Sequence, residues 1–272
     1  MTRADVRALV ERHWRETHRE TVRTLPGGWI EERQGFVLCG APGSSECVAL
    51  LTGAVDADAL VAETTRAFGG KGAPVAGFHV VRLQADGPAG AAADTLVARG
   101  YRELHRQPNM VLGPTRDVPA PPAALRIRAV ADEADRAAFA DVVTAAFAVY
   151  YAPHESLVRA NFQTLDCVAG RHRQAFVGWC EGRPVAAAIL HLSHGVAGVG
   201  WVAVRPDAGR RGFATALTWA VVAEGFRRGA RLASLQASEM GEPVYRRMGF
   251  EVVGHCRELI REDLYQAFLP DD

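Results

Sequence analysis

The residues best placed to do chemistry fall in one loop, Asp207–Gly212, rich in glycine and arginine. Pro206 ends a strand-like run, Val196–Val204, just before the loop, and a helical pattern begins near Phe213, with Phe213, Leu217, Ala220 and Val221 on one face. A strand, a glycine-bearing loop and a helix N-terminus together make an anion site. The first backbone N–H groups of a helix have no intrahelical partner, and the helix dipole adds partial positive charge there. Gly212 lets the backbone approach a ligand with no side chain in the way, and Arg210 and Arg211 bring charge beside it. A phosphate-bearing ligand is the natural occupant; a plain strand-to-helix turn is the other reading of the same residues.

Other chemistry-bearing types give weaker patterns. His191 and His194 stand three apart near a strand end, but no third ligand accompanies them, so no metal site is expected. The cysteines Cys39, Cys47, Cys167, Cys180 and Cys256 are odd in number and form no CxxC pair, which argues against a disulfide framework.

The order of elements around the loop is more specific. Gly209-Arg210-Arg211-Gly212-Phe213-Ala214 resembles the Q/R-x-x-G-x-G/A loop of the GNAT (GCN5-related N-acetyltransferase) superfamily. Downstream, Pro243-Val244-Tyr245-Arg246-Arg247-Met248-Gly249-Phe250 is similar to the family's "LYEKLGF" segment. The resemblance covers Leu125 to about Ile260. Two positions depart from the pattern. Gly209 stands where the family has Gln or Arg, and Ser238 stands where many members carry Asn.

The resemblance implies acetyl-CoA as acyl donor. It implies that the backbone of Val202, Ala203 and Val204 pairs with the pantetheine arm like an added strand, and that Gly209, Arg210, Arg211, Gly212, Phe213, Ala214 and Thr215 surround the pyrophosphate. It implies glycines at 195, 198 and 200 that permit a bulge in this strand. Acyl transfer needs a neutral amine, donors for the oxyanion and a proton for the leaving thiolate. Tyr245 suits the last role, because a phenol stays protonated at neutral pH. A backbone N–H at or near Val202 is the implied oxyanion donor. The strand position where some relatives carry a glutamate is Gly198 here, so the base must come from elsewhere. The candidates are His154, Glu155, His191, His194 and Glu239.

These residues need a scaffold. The Pro-rich stretch 114–124 divides the chain into 1–113 and 125–272. Both parts alternate strand-like and helix-like segments. In the first, Thr2 caps a helix carrying Val6, Leu9, Val10 and Trp14. Strands read at Gly35–Gly40, Cys47–Thr52, Val75–Leu83 and Arg102–Leu112, with helices from Asp56 to Gly70 and over Ala89–Arg99. In the second, strands read at Leu125–Val130, Gln174–Cys180, Val185–Ser193, Arg231–Ala237 and Phe250–Arg257, with a helix over Glu133–Val149. The fold class expected is α/β, an α+β mixed sheet flanked by helices. It comprises two GNAT-like domains, the first a degenerate copy without a phosphate loop.

Composition bounds the rest. Across 272 residues, Lys plus Arg equals Asp plus Glu at 31 each, which argues against a nucleic-acid binder. The hydrophobic fraction of 49% suits a globular core. No apolar run is long enough to span a membrane, and the charged N-terminus lacks a signal-peptide core, so a cytoplasmic monomer or homodimer is expected. The function expected is acetyl-CoA-dependent N-acyl transfer to the amine of a small molecule. A protein or peptide N-acetyltransferase and a non-catalytic acyl-CoA sensor are the alternatives.

Overall fold

The first helix is set by its own cap. The Thr2 hydroxyl accepts from the Asp5 N–H, and the Asp5 carboxylate accepts from the Thr2 N–H at 2.8 Å. This starts α1 (Arg3–Thr24) in a computed structural model that describes residues 1–70, 80–86, 89–115, 117–151, 155–262 and 265. Next come β1 (Trp29–Arg33), β2 (Phe36–Gly40) and β3 (Cys47–Leu51). They are followed by α2 (Ala57–Gly70), β4 (Val80–Gln84), α3 (Gly90–Ala98) and β5 (Tyr101–Leu112). The Asp56 carboxylate accepts from the Ala59 N–H at 2.8 Å and so caps α2. Of the strand read at Val75–Leu83, residues 75–79 lie outside the described residues. β1 is an element the sequence pattern did not announce, because four of its five positions are half-buried with no alternation.

The second half runs β6 (Arg126–Ala129), α4 (Glu133–Tyr151), α5 (Glu155–Ala160), the two-residue β7 (Ala169–Gly170), β8 (Arg173–Cys180) and β9 (Arg183–Ser193). It continues with β10 (Val196–Val204), α6 (Phe213–Arg227), β11 (Leu232–Gln236), α7 (Glu242–Arg247) and β12 (Glu251–Arg261). The β8–β9 turn is tighter than the sequence suggested. Glu181 and Gly182 both take positive φ, 51° and 74°, the two-residue geometry that suits a twisted hairpin.

All twelve strands join one mixed sheet, in the order β1-β2-β3-β4-β12-β5-β11-β10-β9-β8-β6, with β7 beside β8. The two halves exchange their last strands across its centre. β5, from the first half, pairs with β11 of the second; β12, from the second, pairs with β4 of the first; and β5 and β12 run antiparallel to each other. Each half also holds one short parallel pair, β3 with β4 and β10 with β11. The two halves therefore share a continuous backbone ladder.

Three layers of side chains hold this sheet. On one face of β10, Ala197 and Val199 pack with Leu217, Val221 and Val222 of α6. On the other face of the second half, Ala187, Ile189 and Ala203 pack with Phe139, Val142 and Val143 of α4. In the first half, Leu38, Ala49, Val81 and Leu83 pack with Leu60 and Phe68 of α2 and Leu96 of α3.

Helix α1 bridges the halves. Val22 packs with Val37, Val48 and Val80, while Val10 packs with Val111, Val253 and Leu232. Arg3 donates to the Val252 carbonyl at 2.8 Å, and Arg7 donates to that of Val253. The five cysteines are free and buried. Among the described residues no helix is long and apolar enough to cross a membrane.

Candidate functional site

The loop between β10 and α6 is built as an anion cradle. After Val204 the chain makes a single tight turn over Pro206–Ala208. Arg210 (φ 61°) and Gly212 (φ 76°) then take left-handed conformations. Such turns point successive N–H groups into a concavity. Gly212 is the N-cap of α6, and no side chain caps the helix. The first helical bond runs from the Ala216 N–H to the Gly212 carbonyl at 3.0 Å, so the N–H groups of Phe213, Ala214 and Thr215 have no intrahelical partner. Space above the loop is open: a Cβ built on Gly212 would have Pro122 as its nearest neighbour, at 3.8 Å.

The two arginines of the loop differ. Arg211 folds back, with its guanidinium 4.7 Å from the Phe213 ring centroid and donating to the Cys180 sulfur at 3.5 Å. Arg210 is exposed, and no hydrogen bond or ion pair holds it among the described residues. Arg210 is therefore the cation free to meet an anion. Gly209 is extended and brings no side chain.

Beside the cradle, β10 and β11 part. They pair only over Val196–Gly198 and Leu232–Ser234, so the later edge of β10 has no β11 partner. A bulge between Gly200 and Ala203 bends β10 against β9. The residue in the left-handed conformation there is Trp201 (φ 48°), not a glycine. Its ring is wedged 5.1 Å from Phe147 and 5.3 Å from Phe162, both T-shaped, and this packing offsets the backbone strain. Of the three glycines read as permitting the bulge, Gly200 borders it and the other two serve elsewhere. Gly195 (φ 73°) makes the β9–β10 turn with His194 (φ 53°), and Gly198 yields its side-chain space to another residue.

Tyr245 sits on α7, which has a proline in its first turn. The ring packs against the same core cluster as Val202 and Val204, and lies edge-on to Phe250 at 5.9 Å. Burial pushes the phenol up to about 12, and the nearby Thr218 hydroxyl of α6 offsets part of that rise. Thr218 donates its proton to the Ala214 carbonyl at 2.9 Å. The Ser238 hydroxyl accepts from the Gly241 N–H at 3.1 Å and so shapes the turn into α7.

The candidate bases scatter. His154 lies outside the described residues. Glu155 starts α5, His194 is an exposed turn residue, and Glu239 is exposed after β11. His191 is buried on β9, and burial holds its imidazole well below the usual histidine range.

What stands over Gly198 comes from the far end of the chain. A Cβ on Gly198 would lie 2.1 Å from Nε2 of His13, on α1. His13 is fully buried, its Nδ1 is 2.7 Å from the Ser193 hydroxyl, and burial pushes its imidazole down to about 3. No local sequence signal links residue 13 to residue 198. Among the described residues, no three His, Cys, Asp or Glu side chains are grouped to hold a metal ion.

Comparison with known proteins fits this geometry. The family model of the acetyltransferase (GNAT) domain matches residues 126–253. No curated protein matches the chain. Among solved structures, a GCN5-related N-acetyltransferase from Kribbella flavida is 21% identical, with TM-score 0.70 over 93% of this chain and 95% of that one. A GCN5-related N-acetyltransferase from Sphaerobacter thermophilus is 19% identical, with TM-score 0.56 over 85% and 81%. A tandem GNAT protein from the clavulanic acid biosynthesis pathway is 16% identical, with TM-score 0.56 over 93% and 87%. At these identities the structural likeness is one of fold, and it extends through both halves. Residues 126–253 thus match an acetyltransferase (GNAT) domain, and the chain as a whole shares the fold of these N-acetyltransferase structures.

Proposed function

We propose that the protein transfers an acetyl group from acetyl-CoA to the amine of a small molecule, by direct attack in a ternary complex. One observation carries this reading: an uncapped α6 N-terminus with a left-handed cradle lies next to the unpaired edge of β10. The cradle and Arg210 suit a pyrophosphate, and the edge from Val202 to Val204 suits the amides of a pantetheine arm. When bound, the thioester supplies the acyl group. Tyr245 holds a proton at its phenol oxygen for the departing thiolate, and a backbone N–H at Val202 faces the developing oxyanion. A small acceptor is favoured over a peptide because α1 lies across the sheet face opposite α6, with His13 seated on Gly198. A peptide substrate needs an open groove there.

Arg210→Ala tests the cradle. Removing the unpaired arginine of the loop should weaken acetyl-CoA binding about tenfold by calorimetry, the loss expected for a charge-assisted phosphate contact. Wild-type protein that bound no acyl-CoA would overturn the whole reading.

Gly241→Ala tests the placement of the tyrosine. A Cβ there would meet Cε2 of Tyr245 at 2.9 Å and the Ser238 hydroxyl at 3.2 Å. The ring must shift, and kcat should fall about tenfold while the Kd for acetyl-CoA holds, since small misplacements of a reacting group are costly. Unchanged kcat would mean that this contact does not position Tyr245.

A further inference from the structure

Two small clefts, open to solvent, lie side by side under α1. Glu11 and Gln84 border both. The first extends to Arg7, Asp86, Asn109 and Gly254, the second to Trp14, His18, Arg82 and Gln236. Together they form one trough, roofed by α1 and floored by the neighbouring strands β4, β12, β5 and β11. Three steps across these strands span about 14 Å.

The floor is polar in an ordered way. Gln236 Nε2 on β11 donates to Asn109 Oδ1 on β5 at 3.2 Å, and Asn109 Nδ2 donates in turn to Gln84 Oε1 on β4. This file of three carboxamides crosses the seam where the halves exchange strands. It leaves further amide hydrogens and lone pairs for a ligand. The wall carries a carboxylate. Glu11 is half-buried, and among the described residues it makes no hydrogen bond or ion pair. Burial pushes its carboxyl above the usual range, against the pull of Arg15 and Arg12. A carboxylate kept partly out of water without a partner suits an incoming cation.

The trough also has the right address. β10 and β11 part after Gly198 and Ser234, and Gln236 lies two residues further along β11. Leu235 belongs to the core on the α6 face, so Gln236 faces the other way, under α1. The trough therefore opens toward the gap between the strands, from the face opposite α6.

We propose that this trough holds the acceptor, a small amine bearing hydroxyl or amide groups, with Glu11 against its ammonium and the Gln236–Asn109–Gln84 file binding its polar groups. The inference rests on the acyl-transfer function proposed above. It gives the first half the task of recognising the acceptor. Glu11 acts in binding and specificity and makes no bond to the acyl group.

The test uses the full chain. Thiol release is screened with acetyl-CoA and two amine panels, basic polyhydroxylated or amide-bearing alkylamines and weakly basic arylamines. Glu11→Gln preserves shape, and its melting temperature reports its folding. With the best basic amine, Glu11→Gln should raise the acceptor KM about tenfold, leave the KM for acetyl-CoA unchanged, and spare arylamine turnover. An unchanged acceptor KM would overturn the proposal. So would wild-type protein that binds acetyl-CoA by calorimetry yet releases thiol with no amine of either panel, a result that leaves the domain match standing. Failure to bind acetyl-CoA at all would remove the function on which the proposal rests.

Discussion

Tyr245→Phe lowers kcat about 10²-fold and leaves the Kd for acetyl-CoA unchanged, the effect of removing one positioned proton donor. The substitution deletes a single oxygen. The ring keeps its packing beside Phe250, Val202 and Val204, so the core is undisturbed. What disappears is a proton that burial holds in place to about pH 12. Because the phenol is raised above its ordinary value, the donor stays charged with its proton throughout the neutral range. The pH profile of kcat should therefore show no alkaline limb from this group below about pH 11. Steady-state kinetics with the best acceptor from the amine screen provide the check. A kcat within about threefold of wild type would mean that the thiolate draws its proton from elsewhere.

The cradle and the tyrosine are coupled through α6. The helix begins at Gly212 and carries Thr218, whose hydroxyl acts on the phenol, about two turns later. Thr218 is itself tied to the Ala214 carbonyl in the first turn. The same rigid element thus fixes the N–H groups proposed to face the pyrophosphate and the hydroxyl near the phenol proposed as proton donor. Building both on one packed helix holds their spacing to the tolerance that acyl transfer needs. Arg211 contributes by packing on Phe213 and Cys180, which anchors the loop, and Arg210 is left for the ligand.

Local pattern made part of this site legible. The strand Val196–Val204 and the helix starting at Phe213 were readable because alternation, Pro206 and Gly212 are all local signals. Tyr245 and Gly249 were readable by resemblance over a short segment. The bulge was anticipated but its residue was not: Trp201 carries the positive φ, because aromatic packing with Phe147 and Phe162 outweighs the backbone preference for glycine. The strand exchange was invisible, since periodicity marks a strand without naming its partner. Residues 102–112 read as the closing strand of the first half, yet they pair with β12 and, through Asn109–Leu112, with β11 of the second. Glu11 and His13 escaped notice for the same reason. On α1 they look like one polar and one aromatic position of an amphipathic helix, and only the shared sheet brings them to Gln236 and Gly198.

That long-range contact gives the second large prediction. Gly198→Ala destabilises the protein by about 3 kcal/mol, the upper range for overpacking a close-packed interior, and lowers the melting temperature by roughly 9 °C. The added methyl would stand 2.1 Å from His13 Nε2 and 2.9 Å from Cε1. A flexible side chain could step aside, but this imidazole is fully buried, with its Nδ1 at the Ser193 hydroxyl and Trp14 edge-on at 5.3 Å. Relief therefore requires α1 to lift from β10, which also loosens Val10 from Val111 and Val253. The second substitution His13→Ala removes the clashing ring. The double variant should be more stable than the sum of the single losses by at least about 1 kcal/mol, measured by denaturant unfolding. Strictly additive losses would mean that α1 does not depend on the space above Gly198. Non-additive losses, with acetyl-CoA affinity unchanged in the His13→Ala variant, would establish that the missing side chain on β10 is a docking socket. The first half of the chain would then be anchored to the second through that socket, directly beside the gap between β10 and β11.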